Sequence, residues 1–105
     1  MKVYIAGEIT GNANYEVQFA NAARQIEAQG HIVLNPAILP EGMAPADYMR
    51  ICFAMIDAAD ELWRLPTAWA SRGAALEEAY CDYCGKTVRP LSSMPWFDED
   101  AWWGC

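Results

Sequence analysis

Lys2-Val3-Tyr4-Ile5-Ala6-Gly7-Glu8-Ile9-Thr10-Gly11-Asn12 decides the fold class. Five residues of β-type character stop at Gly7, and a short loop with two glycines able to take positive φ leads on. From Asn14 to Gln29 the residues Tyr15, Phe19, Ala22, Ala23 and Ile26 recur at helical spacing, and Gly30 ends the segment. A strand, a glycine loop and an amphipathic helix in succession open a βαβ unit, the building block of a parallel sheet covered by helices.

The pattern continues outward from this stretch. His31–Leu34 reads as a second strand, ended by Asn35-Pro36 because proline has no amide hydrogen for a ladder, and a loop runs to Pro45. Ala46–Ala59 forms a second helix with Tyr48, Ile51, Cys52, Met55, Ile56 and Ala59 on one face. Glu61–Leu65 is a third strand, Pro66–Ala70 a loop, Ser71 an N-cap, and Arg72–Cys84 a third helix terminated by Gly85. Thr87–Leu91 closes the sheet. The expectation is an α/β, flavodoxin-like three-layer fold with a parallel sheet of about four to five strands. It occupies residues 1–91, followed by an aromatic and acidic tail over residues 92–105.

That tail interleaves Trp96, Phe97, Trp102 and Trp103 with Asp98, Glu99 and Asp100. Each large ring can bury on the order of 150–250 Å², so the tail should dock, either on its own domain or on a neighbouring subunit.

Composition bounds the function. The chain has 105 residues, 54% hydrophobic and 20% charged, a size and balance for one folded domain and not for a disordered chain. Its net charge of −7 has the wrong sign for a nucleic-acid polymer. No stretch resembles a membrane span, and the N-terminal apolar run is too short for a signal peptide, which predicts a cytoplasmic protein. The four cysteines, Cys52, Cys81, Cys84 and Cys105, are expected as reduced thiols. Cys81-x-x-Cys84 closes a helix, where the dipole disfavours a thiolate, and no spacing suits zinc. Neither a metal nor a cofactor is expected. His31 reads as a packing residue, and Asp57 and Asp60 as cap and turn residues.

In an open α/β sheet, ligands bind beyond the carboxyl ends of the strands. Three loops meet there: Gly7–Asn14, Asn35–Pro45 and Pro66–Arg72. They offer Gly7, Glu8, Thr10, Gly11, Asn35, Trp69, Ser71, Arg72 and Gly73 as the ligand-binding set. Helix N-termini in these loops suit an anionic group, while a plain turn at Gly7–Gly11 and a plain cap at Ser71 are the simpler alternatives. On the third helix, Leu76, Tyr80, Tyr83, Cys84, Ala74 and Cys81 span one broad apolar arc, with Glu78 and Asp82 opposite. Glu77 falls inside that arc. A carboxylate there needs a partner, so Glu77 either reaches back to cap its own helix or serves as a nucleophile or general base facing the crevice.

These motifs together resemble the nucleoside 2-deoxyribosyltransferase superfamily, in particular a small phage and bacterial branch of it. The likeness rests on Val3-Tyr4-Ile5-Ala6-Gly7-Glu8-Ile9-Thr10-Gly11, on Gly30 to Ala37, on Asp47-Tyr48-Met49-Arg50, and on Trp69-Ala70-Ser71-Arg72-Gly73-Ala74-Ala75-Leu76-Glu77. The resemblance implies chemistry at the anomeric carbon of a nucleoside or nucleotide. Glu77 takes the place of the nucleophile, Tyr4 that of an active-site tyrosine, and Ser71 and Gly73 the positions that hold the sugar 5′ group or phosphate. Two positions depart from the superfamily pattern. Cys52 stands where an aspartate is usual, and a thiol does not replace a carboxylate in proton delivery at neutral pH. Glu8 stands where proline or a small polar residue is usual, and its charge disfavours a 5′-monophosphate.

The expected function is therefore a nucleoside or nucleotide N-glycosidase or deoxyribosyltransferase-like enzyme with a glutamate nucleophile. The alternative is a catalytically inactive nucleotide-binding or sequestering module on the same crevice; a third is a structural protein assembled through its tryptophan tail. A homo-oligomer is expected, both because relatives complete their sites across subunits and because a small sheet with many aromatic residues has apolar surface to cover.

Overall fold

The computed structural model describes residues 1–102 of the chain, and the expectations attached to Trp103 and Cys105 lie outside the described residues. Four strands, β1 (Lys2–Ala6), β2 (Ile32–Leu34), β3 (Glu61–Arg64) and β4 (Thr87–Pro90), form one all-parallel sheet in the order β2-β1-β3-β4. This is the first part of the flavodoxin-like order, and the strand sequence reverses between β1 and β3. Helices α1 (Tyr15–Ala28), α2 (Pro45–Ala58), α3 (Arg72–Cys84) and the short α4 (Glu99–Trp102) complete a three-layer α/β fold. Among the described residues no helix is long and apolar enough to cross a membrane.

Alternation along the strands divides the core. In β1, Val3 and Ile5 face α1 and the C-terminal segment, whereas Tyr4 and Ala6 face α2 and α3. In β3, Trp63 lies on the first side and Leu62 on the second. The α1 side is packed by Phe19, Ile26, Leu65, Leu91 and Trp102, all fully or nearly fully buried. Gly7 belongs to that packing: a Cβ there would lie 2.8 Å from Leu65 Cδ1 and 3.1 Å from Phe19 Cζ, so the β1 exit tolerates only glycine without a shift.

The tail docks on its own domain. Trp102 is buried against α1, with Trp96 and Phe97 half-buried around the same cluster. Polar clasps hold it: Asn21 Nδ2 donates to the Trp102 carbonyl at 3.3 Å, and the Asp98 amide donates to Gln25 Oε1 at 2.7 Å. Trp102 is spent within the subunit, and Trp96 and Phe97 are half-covered by it.

Sequence expectations on two helices need correction. On α2, Ile51 turns to solvent, and Phe53 takes its place by stacking on Tyr80 with ring centroids 4.6 Å apart. On α3, Leu76, Tyr83 and Cys84 are exposed, and the buried stripe is Ala74, Glu77 and Cys81. The apolar arc of α3 is wider than the roughly 100° that a helix presents to a sheet. Ala74 and Cys81 enter the core and Tyr80 packs half-buried against it, while Leu76, Tyr83 and Cys84 stay outside. Glu78, expected in solvent, is half-buried and pairs with Arg64 at 3.2 Å.

Local signals explain the boundaries of α3. Ser71 Oγ accepts from the Ala74 amide at 3.0 Å, an N-cap, and Gly85 terminates the helix in the left-handed region at φ 73°. The end of α2 has no basic residue of its own and is closed from a distance: Lys86 Nζ donates to the carbonyls of Ile56, Asp57 and Ala59.

Candidate functional site

The α2/α3 side of the sheet holds the one buried carboxylate of the described residues, Glu77, which is 6% exposed. β1 supplies Tyr4 from below, α3 supplies Glu77 from above, and α2 supplies Cys52 beside them. Tyr4 is fully buried, and its hydroxyl donates to Glu77 Oε2 at 2.6 Å. Glu77 therefore does not reach back to cap its own helix. Its partner lies 73 positions away on the central strand.

Burial governs the electrostatics. Loss of hydration raises the Glu77 carboxyl from its ordinary value of 4.5 to about 7. Hydrogen bonding by Tyr4 and Cys52 pulls it back, and the Glu78 charge adds to the rise. Burial and the facing Glu77 charge hold the Tyr4 hydroxyl far above the usual tyrosine range, so it acts as a donor throughout the accessible pH range. Burial also lifts the Cys52 thiol to about 11, which keeps it protonated and poorly nucleophilic. At neutral pH, Glu77 divides between a carboxylate able to attack or accept a proton and an acid able to give one.

The loops around this pair sort the remaining sequence candidates. The Glu8 amide donates to Thr67 Oγ1 at 3.2 Å, tying the loop after β1 to the loop after β3. The carbonyl of Glu8 accepts from Asn12 Nδ2, which also bonds Gln18, a polar residue buried on α1. Thr10 and Gly11 stand in the open, with Gly11 at φ +83°. Ser71 is the α3 cap and Gly73 sits in its first turn near Met49, both on the helix that carries Glu77. Trp69 is 89% exposed at the same end.

Two candidates do not converge on Glu77. Arg72 lies about 140° around α3 from it at 100° per residue, on the solvent face. Asn35 caps the 3-10 turn Pro36–Ile38 through a 2.9 Å bond from the Ala37 amide and lines a separate groove of about 420 Å³ with Tyr15, Glu16 and Glu41. A second groove of about 540 Å³ is lined by Arg64, Glu78, Asp82 and Lys86. Neither groove is lined by Glu77 or Tyr4.

Thr67 has no local signature as a loop tie. Gln18 has one, a polar residue next to Phe19 on the core edge of a helix. Cys52, Cys81 and Cys84 are free thiols, and among the described residues no group of His, Cys, Asp and Glu is placed to hold a metal. His31 packs edge-on against Trp63, with ring centroids 5.3 Å apart. Asp60 accepts from the Lys2 amide at 2.7 Å, which holds its carboxyl below the usual range, and Asp57 accepts from Tyr80.

Strand order and buried pair together define a flavodoxin-like α/β protein whose polar centre lies under the N-terminal half of the helix that follows β3. Residues 1–89 match the family described as Domain of unknown function (DUF4406), and the chain belongs to that family. No curated protein and no solved structure gives a significant match.

Proposed function

We propose that the protein is a nucleoside or nucleotide N-glycosidase, or a deoxyribosyltransferase-like enzyme, with Glu77 as nucleophile and Tyr4 as the residue that orients it. The observation that carries this reading is the 2.6 Å hydrogen bond from Tyr4 to a carboxylate that burial has made basic. A surface glutamate has no need of such a partner. A carboxylate held in one orientation, poorly hydrated and raised toward neutral pH, suits attack on an electrophilic carbon. It also agrees with the kinship to the nucleoside 2-deoxyribosyltransferase superfamily that the Ser71-x-Gly73-x-x-x-Glu77 motif suggests.

In the proposed reaction a Glu77 oxygen forms a bond to C1′ as the C1′–N bond breaks through an oxocarbenium-like transition state. The bonding pair leaves with the base, which takes up a proton from solvent; the attacking water or second base returns one to solvent in the next step. Water or a second base then attacks C1′, releases the pentose product and restores the carboxylate. Tyr4 donates to the oxygen that does not react and keeps the other aimed. Ser71, Gly73 and the Gly7–Gly11 loop border the sugar, and Glu8 disfavours a 5′-phosphate by repulsion. The substrate is a small molecule and no cofactor enters the reaction. Free Cys52, Cys81 and Cys84 fit a reducing, cytoplasmic setting.

The second reading, a nucleotide-binding module without turnover, is favoured by two observations: Cys52 stands where a proton-delivering carboxylate is expected, and Glu77 lies outside both open grooves. One experiment separates the two. Purified protein is incubated with a panel of nucleosides and nucleotides, and free base is quantified by chromatography. The enzyme reading predicts base release that Glu77→Gln abolishes and that rises with pH through about 7 as Glu77 ionises. A raised melting temperature with a bound nucleotide but no released base supports the module. Neither release nor a thermal shift with any compound would reject both.

A further inference from the structure

The outer face of α3 has an unusual make-up for a monomer surface. Leu76 is 57% exposed and Tyr83 91% exposed, and with Arg72 and Ala79 they form a single column spanning about 60° of the helix at 100° per residue. Ala75 and Asp82 flank the column on one side. Leu76 and Tyr83 are the part of the apolar arc that lies farthest from the sheet. Single exposed apolar residues are ordinary, but a column with Leu and Tyr at its middle and end, spaced by Ala79, is a contact face for another helix.

We propose that this face is a homodimer interface in which two copies of α3 pack antiparallel across a two-fold axis. The face is complementary to itself in that orientation. Setting the axis between Glu77 and Glu78 seats Leu76 against the partner's Ala79, a knob over a small residue, and it does so twice. The same register brings Arg72 to the partner's Tyr83 and Asp82. The guanidinium then meets an aromatic ring and an acid. Within one chain neither Arg72 nor Asp82 has an ion-pair partner among the described residues, although Arg50, Arg64 and Arg89 each pair with an acid.

Opposite charges at the two ends of one helix, separated by an apolar middle, select a second copy in antiparallel orientation over an unrelated partner. The face itself is balanced, with one positive and one negative group, so the net charge of −7 lies elsewhere on the surface. Antiparallel packing also opposes the two helix dipoles favourably. Trp69 extends the patch at the N-terminal end. Two tyrosines and two tryptophans across the axis, each able to bury on the order of 150–250 Å², supply a large share of the roughly 1,200 Å² that a specific interface needs. The inner face of the same helix carries Glu77, so the interface backs directly onto the site. The inference does not depend on the glycosidic reaction.

Sedimentation equilibrium of the full chain tests it. The expected mass is twice 11.7 kDa. Leu76→Glu and Tyr83→Glu, both at exposed positions, should raise the dimer dissociation constant about 30-fold or more, the size expected for central anchors, with an unchanged far-ultraviolet circular dichroism spectrum. Arg72→Glu should weaken the dimer and Arg72→Glu with Asp82→Arg should restore it, a rescue that parallel packing or another surface would not give. A wild-type chain that sediments as a monomer overturns the proposal. So does a dimer left intact by both folded glutamate variants.

Discussion

The two sides of the sheet are built on different principles. On the α1 side, Phe19, Ile26, Trp63, Leu91 and Trp102 make a core of large apolar side chains sealed by the C-terminal segment, with the uncharged Gln18 and Asn21 as its buried polar residues. On the α2/α3 side, Ile56 and Leu62 are joined mostly by small residues (Ala6, Cys52, Ala59, Ala68, Ala74 and Cys81) around Tyr4, and a carboxylate is packed among them. The first side stabilises the fold, whereas the second gives up stability to keep Glu77 poorly hydrated. The strand alternation of β1 makes this division possible, because adjacent residues Ile5 and Tyr4 serve opposite layers.

Removing the seal should have the largest effect on this contrast. Trp102→Ala empties a buried site on the apolar side and should destabilise the protein by about 3–5 kcal/mol in urea denaturation. A loss below about 1 kcal/mol, within the range of ordinary surface substitutions, would mean that the tail is not part of the core.

Glu77→Gln should act in the opposite direction. The folded-state carboxyl titrates near 7 and the unfolded one near 4.5. Between these values the folded chain keeps a proton that the unfolded chain has lost, so stability falls as pH rises through this window. Below about pH 4.5 the variant and the wild type should match; above about pH 7 the variant should be more stable by up to about 3 kcal/mol, since each pH unit of separation corresponds to about 1.4 kcal/mol. Denaturation at pH 4 and pH 8 checks the sign. Equal stability differences at the two values would contradict it.

A smaller effect is expected from Tyr4→Phe. It leaves the ionised carboxylate without its donor, which should cost about 1–3 kcal/mol above pH 7 and less where Glu77 is protonated. The loss should also push the Glu77 carboxyl higher, because the Tyr4 bond is the larger of the two interactions that lower it.

The sequence made the frame legible wherever the signal was local. Ser71 caps α3 and Gly85 ends it because both act within their own turn, and the five-residue run Lys2–Ala6 could pair only as a strand. Glu77 stood out as a carboxylate among apolar neighbours, but its partner could not be read from the helix, since Tyr4 is set opposite it by the sheet. Periodicity misplaces Ile51 and Leu76 for one reason: α2 and α3 are apolar over more than one face, and periodicity alone does not say which face meets the sheet. The tryptophan tail announced that it must dock, but the choice of α1 depends on the clasps from Asn21 and Gln25. Lys86 closing α2 and Thr67 joining two loops are tertiary contacts with no local signature.

The most direct measurement is the pH titration of the glutamate side-chain carboxyl carbons by nuclear magnetic resonance in the folded protein. One resonance, absent in Glu77→Gln, should titrate near pH 7 and move higher in Tyr4→Phe. A Glu77 resonance with its midpoint near 4.5, unchanged by loss of the Tyr4 hydroxyl, would contradict a buried, tyrosine-held carboxylate.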